Sequence, residues 1–195
     1  VDATRDSYGA YVDAEYYVTP DFLLAGALRY EDYDIAGDNI SGKLSARYDI
    51  DNDFSVRGTV ATGFRAPNVS ELYGGNVGSY DYLDDPWGNE QDPQILVNYT
   101  SDSDLKAESS ESYTAGLVYS PSYVDGLSLT LDYWRFKISD AISRLDVQAG
   151  LNACHAGDTS ACETFGITPD GNLENLTNPL TNVGYQDTSG VDFNL

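Results

Sequence analysis

Residues 60–73 read VATGFRAPNVSELY, an alternating strand that runs into an Arg-Ala-Pro stop and then a new polar segment. Val60, Thr62 and Phe64 fall on one face of an extended chain, and Ala61, Gly63 and Arg65 on the other. Pro67 cannot donate to a ladder and disfavours helical geometry at Ala66, so pairing should end there. This boundary is the template for the rest of the chain.

Working outward, seven extended segments show the same period-two pattern. The first, about Tyr8 to Val18, sets Tyr8, Val12 and Tyr16 against Asp13, Glu15 and Tyr17. Phe22 to Tyr33 sets Phe22, Leu24, Leu28 and Tyr30 against Arg29 and Glu31. Ile40 to Ile50 alternates Leu44, Ala46 and Tyr48 with Lys43, Ser45 and Arg47, and Phe54 to Phe64 sets Val56 and Val60 against Ser55 and Arg57. Ser109 to Tyr119, a strand from Leu127, and Val183 to Leu195 complete the set. In the sixth the phase slips near Trp134, because Phe136 and Ile138 lie in the register opposite Leu131 and Tyr133. A bulge is the expected cause.

Strands of a dozen residues exceed the roughly 5–6 usual in soluble sheets and match the roughly 9–11 that a tilted membrane strand needs. The connections alternate too. Those at Thr19–Asp21, Asp51–Asp53 and Pro121–Gly126 are short, whereas those around Asp34–Asn39, Phe64–Glu108 and Asp140–Asn182 are longer, two of them much longer. Tyr16, Phe22, Tyr48, Phe54 and Tyr119 gather near the short-turn ends, and Tyr30, Phe64, Tyr113 and Tyr133 near the long-loop ends. Two interfacial aromatic girdles of an up-and-down barrel account for these tiers. A soluble sheet covered by a second sheet would explain the alternation alone.

Composition narrows the function. Lys+Arg 10 against Asp+Glu 32 gives a formal charge of −22, which excludes a nucleic-acid binder. Many acids lie in the connections, at Asp81, Asp84, Asp85, Glu90 and Asp92, without the spacing of a calcium loop. No metal site or cofactor is expected. Met counts 0 and Val1 opens no signal peptide, so a processed or excised piece is expected. A Ser-His-Asp site could recruit only His155, with no nucleophile motif around it, so no enzyme is expected. Cys154 and Cys162, closely spaced, read as a disulfide in an exported protein.

The string Gly63-Phe64-Arg65-Ala66-Pro67 with Ser70-Glu71-Leu72-Tyr73 closely resembles the late-barrel segment of TonB-dependent outer-membrane receptors. Similar in order are Leu105-Lys106-Ala107-Glu108 with Ser112 to Leu117, Gly126 to Trp134 with Ile138 to Ile142, and Asn182-Val183-Gly184 with Thr188 to Phe193. Ala107 departs from the pattern, where these receptors often carry proline.

The resemblance implies an all-β, antiparallel, up-and-down transmembrane barrel of about 22 strands with a plugged lumen and long extracellular loops. Residues 1–195 would be about seven strands from its C-terminal half, a fragment without the plug domain. The intact protein would lie in the outer membrane of a Gram-negative cell, among its lipids. There it would import a scarce nutrient (siderophore-iron, cobalamin or carbohydrate) with energy from the TonB protein. A passive porin and a soluble carbohydrate-binding β-sandwich are the alternatives. Arg29, Lys43, Arg47 and Arg57 would line the lumen and contact the plug, with Asp13, Glu15, Glu31 and Asp49 pairing across strands; a merely solvated face is the competing account. Outer-loop candidates for contacting the nutrient are Arg65, Tyr73, Tyr80, Tyr82, Trp87 and Tyr99, although packing of the loop against itself would occupy most of these aromatics.

Overall fold

The computed structural model describes residues 4–35, 37–88, 94–168, 171 and 173–195, so Glu90 and Asp92 of the acidic set lie outside the described residues. The chain divides into two compact units. The first is a seven-stranded sheet in the order β1-β2-β3-β4-β7-β8-β10. Its strands are β1 (Ser7–Thr19), β2 (Phe22–Tyr33), β3 (Gly37–Asp49), β4 (Phe54–Arg65), β7 (Glu108–Tyr119), β8 (Leu129–Ser143) and β10 (Thr181–Asn194). These are the seven segments that alternation marks.

Register puts the apolar residues in rows. Leu24, Ala46, Gly58 and Ala115 stand side by side, as do Phe22, Tyr48, Val56 and Leu117. Nothing covers this stripe among the described residues. Val12 is 62% exposed, Leu28 59%, Leu44 52% and Phe193 65%. Each such side chain left in water forfeits about 1.5–3 kcal/mol of burial, which a stable water-soluble sheet would not leave unclaimed along a whole face. Lipid is the solvent that fits, and the covered sandwich is overturned. Near the short turns the aromatic tier holds two ring pairs, with Phe22 meeting Tyr48 at 6.3 Å and Phe54 meeting Tyr119 at 6.4 Å between ring centroids.

The bulge expected near Trp134 is absent from the pairing of β8 with β7. That pairing keeps one register from Ser109↔Ser139 to Tyr119↔Leu129. What changes is the environment. From the row of Tyr113 onward the outward positions become Arg135, opposite Tyr113, and then Glu111 and Lys137, which suit headgroups and water rather than acyl chains. The inward positions there become Trp134 and Phe136, and Trp134 lies over Gly190, where a Cβ would stand 2.6 Å from its ring. A register shift does occur elsewhere, in the β1–β2 pairing between Tyr17 and Thr19.

The long connections do not stay irregular. They build the second unit: β5 (Asn76–Tyr82), β6 (Gln94–Thr100) and β9 (Leu176–Pro179) form a small sheet beside α1 (Val69–Tyr73), α2 (Val147–His155) and α3 (Thr159–Phe165). Every fully buried apolar side chain among the described residues belongs to this unit, including Val97, Leu151, Phe165 and Leu176. The helices start on their own signals. Asn68 and Glu71 form a reciprocal capping box, Asp146 accepts from the Ala149 N–H, and Asp158 accepts from the N–H groups of Ser160 and Ala161. Along α2, Val147, Gly150, Leu151 and Cys154 recur at helical spacing and are buried.

Candidate functional site

Two surfaces hold the predicted residues, one in each unit. On the inward face of the sheet, the cations are mostly neutralised by carboxylates. Arg29 pairs with Glu31, and Arg47 Nε donates to Asp49 Oδ1 at 2.8 Å. Both partners lie two residues along the same strand, so these pairs run along strands rather than across them. Arg57 does reach across, to a partner that sequence reasoning missed. Its guanidinium grips Asp132 through Nε at 3.1 Å and Nη2 at 2.9 and 2.8 Å.

Arg57, Gly116 and Asp132 stand side by side on β4, β7 and β8, so the ion pair passes directly over Gly116. A Cβ there would lie 2.0 Å from Asp132 Oδ1 and 3.0 Å from Arg57 Nε. The glycine is thus what lets the pair close across an intervening strand. Arg47 and Arg57 oppose each other in register on β3 and β4, a like-charge pair that their separate carboxylates offset. Lys43 makes no salt bridge among the described residues.

Arg65 ends β4 opposite Glu108 and is held by it in a bidentate pair at 2.7 and 2.8 Å. Proline at 67 then turns the chain into the capping box of α1.

In the loop unit the aromatic candidates separate by environment. Trp87 packs on the hydrophobic core and meets His155 edge-on at 5.1 Å. Tyr99 also packs there, under the Arg144 guanidinium at 5.2 Å, and its hydroxyl donates to Asp81. That bond, then burial, pushes the Tyr99 phenol up to about 12. Arg144 further donates to the carbonyls of Thr100 and Asn178, which ties β6 to β9. Tyr73, Tyr80 and Tyr82 remain exposed, the last two at 67% and 75% on the same side of edge strand β5. Packing therefore takes Trp87 and Tyr99, and leaves three tyrosine faces open to solvent.

Cys154 and Cys162 are joined by a disulfide, with Cα atoms 4.9 Å apart, linking α2 to α3 beside the core. Gln148 fastens α2 to the segment after β5, accepting from the Asp84 N–H at 2.8 Å and donating to the Asp84 carbonyl at 3.0 Å.

A wall of long antiparallel strands, with one uncovered apolar face and paired charges on the other, defines part of a transmembrane β-barrel. The family model for the TonB dependent receptor-like beta-barrel matches residues 1–195. The chain belongs to that family. It is 29% identical over 167 residues to the ferric enterobactin receptor of Pseudomonas aeruginosa, a match that covers 83% of this chain and 21% of the relative. It is 32% identical over 69 residues to the vitamin B12 transporter of Photobacterium profundum, covering 35% of this chain and 11% of that protein. The crystal structure of the siderophore receptor PirA from Pseudomonas aeruginosa superposes with a TM-score of 0.70 at 20% identity, over 97% of this chain and 30% of that one. That likeness speaks to fold alone. The chain thus spans about a fifth to a third of the first two receptors named, the ferric enterobactin receptor and PirA. These relatives are transport proteins rather than enzymes, and their family implies an outer-membrane barrel.

Proposed function

We propose that this chain is barrel wall and outer-loop structure of an active-uptake receptor in the Gram-negative outer membrane. The intact receptor binds a scarce nutrient outside and imports it with energy from the TonB system. The observation that carries the reading is the uncovered outward stripe on a sheet whose whole length matches the receptor barrel family. An iron chelate such as ferric enterobactin is the first candidate, since that relative aligns over most of this chain. Cobalamin is the second reading, favoured by the shorter match to a vitamin B12 transporter.

Tyr73, Tyr80 and Tyr82 are the residues for contacting the cargo, because their rings are exposed on a folded loop scaffold. Trp87 and Tyr99 support that surface through their packing on the core of the loop unit. Arg29, Lys43, Arg47 and Arg57 face the lumen, where a plug domain would dock.

Uptake of labelled ferric enterobactin, cobalamin and an oligosaccharide by cells carrying the full receptor gene tests the assignment. One cargo should accumulate, and only while the inner membrane is energised. Accumulation that persists after de-energising would turn the reading to a passive porin. Tyr80→Ala with Tyr82→Ala should weaken binding of that cargo about tenfold, by loss of stacking area. Charge reversal at Arg47 and Arg57 should loosen the plug, and an unchanged plug would refute the lumen contact.

A further inference from the structure

The small sheet of the loop unit ends on a strand whose backbone is open along one side. β6 lies between β5 and β9, so β5 is an edge. Its pairing with β6 runs unbroken from Asn76↔Thr100 to Tyr82↔Gln94. Outside that pairing, the backbone N–H and C=O groups of residues 76–82 make no hydrogen bond among the described residues. The complement of such a row of donors and acceptors is another extended polypeptide.

Edges are commonly closed off by lysine, proline, a bulge or an inward-pointing charge. β5 has no lysine, proline or bulge. Its single charge, Asp81, is spent within the unit, accepting from Ser79 Oγ at 2.7 Å and from the Tyr99 hydroxyl. Val77 on one side of the strand, and Tyr80 and Tyr82 on the other, stay exposed. Tyr80 stands opposite Leu96, whose side chain reaches across to Gly78, where a Cβ would lie 3.1 Å from Leu96 Cδ1. The side of the β5–β6 pair away from the core is thus a low apolar ledge beside two aromatic rings.

Charge narrows the partner. Lys106 and Arg144 are the only lysine or arginine in residues 67–106 and 142–183. Arg144 is occupied by the carbonyls of Thr100 and Asn178. Acids flank both ends of the edge: Asp84 and Asp85 follow Tyr82, and Asp102 and Asp104 follow Thr100, the residue paired with Asn76. The Asp84 side chain is exposed and makes no salt bridge among the described residues.

We infer that the open edge of β5 receives an extended, arginine- or lysine-rich peptide segment of another protein, added as a fourth strand. The peptide backbone completes the ladder, its cations meet Asp84 at one end and Asp102 at the other, and arginine stacks on Tyr80 and Tyr82. The inference goes beyond the cargo reading and needs only the folded loop unit.

The test uses the full-length receptor in mild detergent, with its folded barrel verified by heat-modifiable gel migration. Binding of a fluorescent peptide of alternating arginine and valine, matched to β5 in length, is followed by anisotropy. No cargo is present, so a wrong cargo assignment leaves the result intact. Binding should be saturable. A counterpart N-methylated along its backbone keeps every charge but loses its ladder donors, and should bind about tenfold more weakly, as should one with glutamate for arginine. Asp84→Asn should weaken the arginine peptide about threefold, and Val77→Lys, which sets a cation on the edge, about tenfold. Equal binding of the N-methylated peptide would overturn the inference by reducing it to diffuse charge attraction. So would unchanged binding by folded Val77→Lys, or no saturable binding by the folded receptor, whose other loops would then cover the edge. A receptor dimer that forms without peptide and is lost in Val77→Lys would assign the edge to a second copy, against the inference. Should Val77→Lys not fold, the N-methylated peptide and Asp84→Asn decide.

Discussion

Gly116→Ala introduces a methyl group into the gap through which Arg57 and Asp132 join. The added carbon would sit 2.0 Å from Asp132 Oδ1, well inside contact distance, so the carboxylate must swing away. With side chains 52% and 23% exposed, the pair is screened by water and contributes about 1 kcal/mol at most. Holding Asp132 off its rotamer adds roughly 1 kcal/mol more. Against this, alanine restricts the unfolded chain and returns about 0.5 kcal/mol, since Gly116 is not among the residues with positive φ. The net expectation is a loss of roughly 1.5 kcal/mol. In an Asp132→Ala background the obstacle is gone, and the same substitution should stabilise by about 0.5 kcal/mol. The coupling of about 2 kcal/mol is measurable by urea unfolding of the full-length receptor in lipid vesicles, as a double-mutant cycle. An equal effect of Gly116→Ala in both backgrounds would refute the account of this glycine.

Three further outcomes concern the loop unit. Replacing Cys154 and Cys162 by serine opens a link of sequence separation 8 and should cost that unit about 2.5 kcal/mol of loop-closure entropy. Limited proteolysis should then cut near residues 147–165 while the sheet strands stay protected. Gly150→Ala would place its Cβ 2.0 Å from the Phe165 ring, an overpacking expected to cost about 1–3 kcal/mol and to give the same cleavage pattern. Tyr99 has a folded phenol pushed up to about 12, against an ordinary value of about 10. Its contribution to stability is therefore whole below pH 10 and is lost as pH climbs through 12. Difference titration of wild type against Tyr99→Phe should show the missing chromophore ionising near 12, and a midpoint near 10 would contradict the bond to Asp81.

The sheet was legible because a single rule, alternation, governs every strand, and its period survives across the membrane. Even the apparent slip at Trp134 carried information, since Arg135 and Lys137, where leucines stand lower in the strand, mark the end of the apolar stripe. The loop unit was harder to see. Its elements are short, and stability comes from contacts between segments far apart in sequence, such as Val97 with Leu176. Some signals were nevertheless present: Asn68 three residues before Glu71, and Asp146 ahead of Val147, Gly150, Leu151 and Cys154. Asp132 had no signal of its own. One carboxylate among many becomes the partner of Arg57 only once register sets Gly116 between them.

The placement of the packed hydrophobic core, among the described residues, within the loop unit has an evolutionary corollary. Acyl chains are a liquid and re-form around any greasy shape, so Val12, Leu28 and Leu44 can exchange with bulkier or slimmer neighbours at little cost provided they stay apolar. Val97, Leu151 and Leu176 are surrounded by fixed atoms and must keep their volume as well as their polarity. Drift should therefore be permissive along the wall and jigsaw-constrained in the loop unit, the reverse of what loop position alone would suggest.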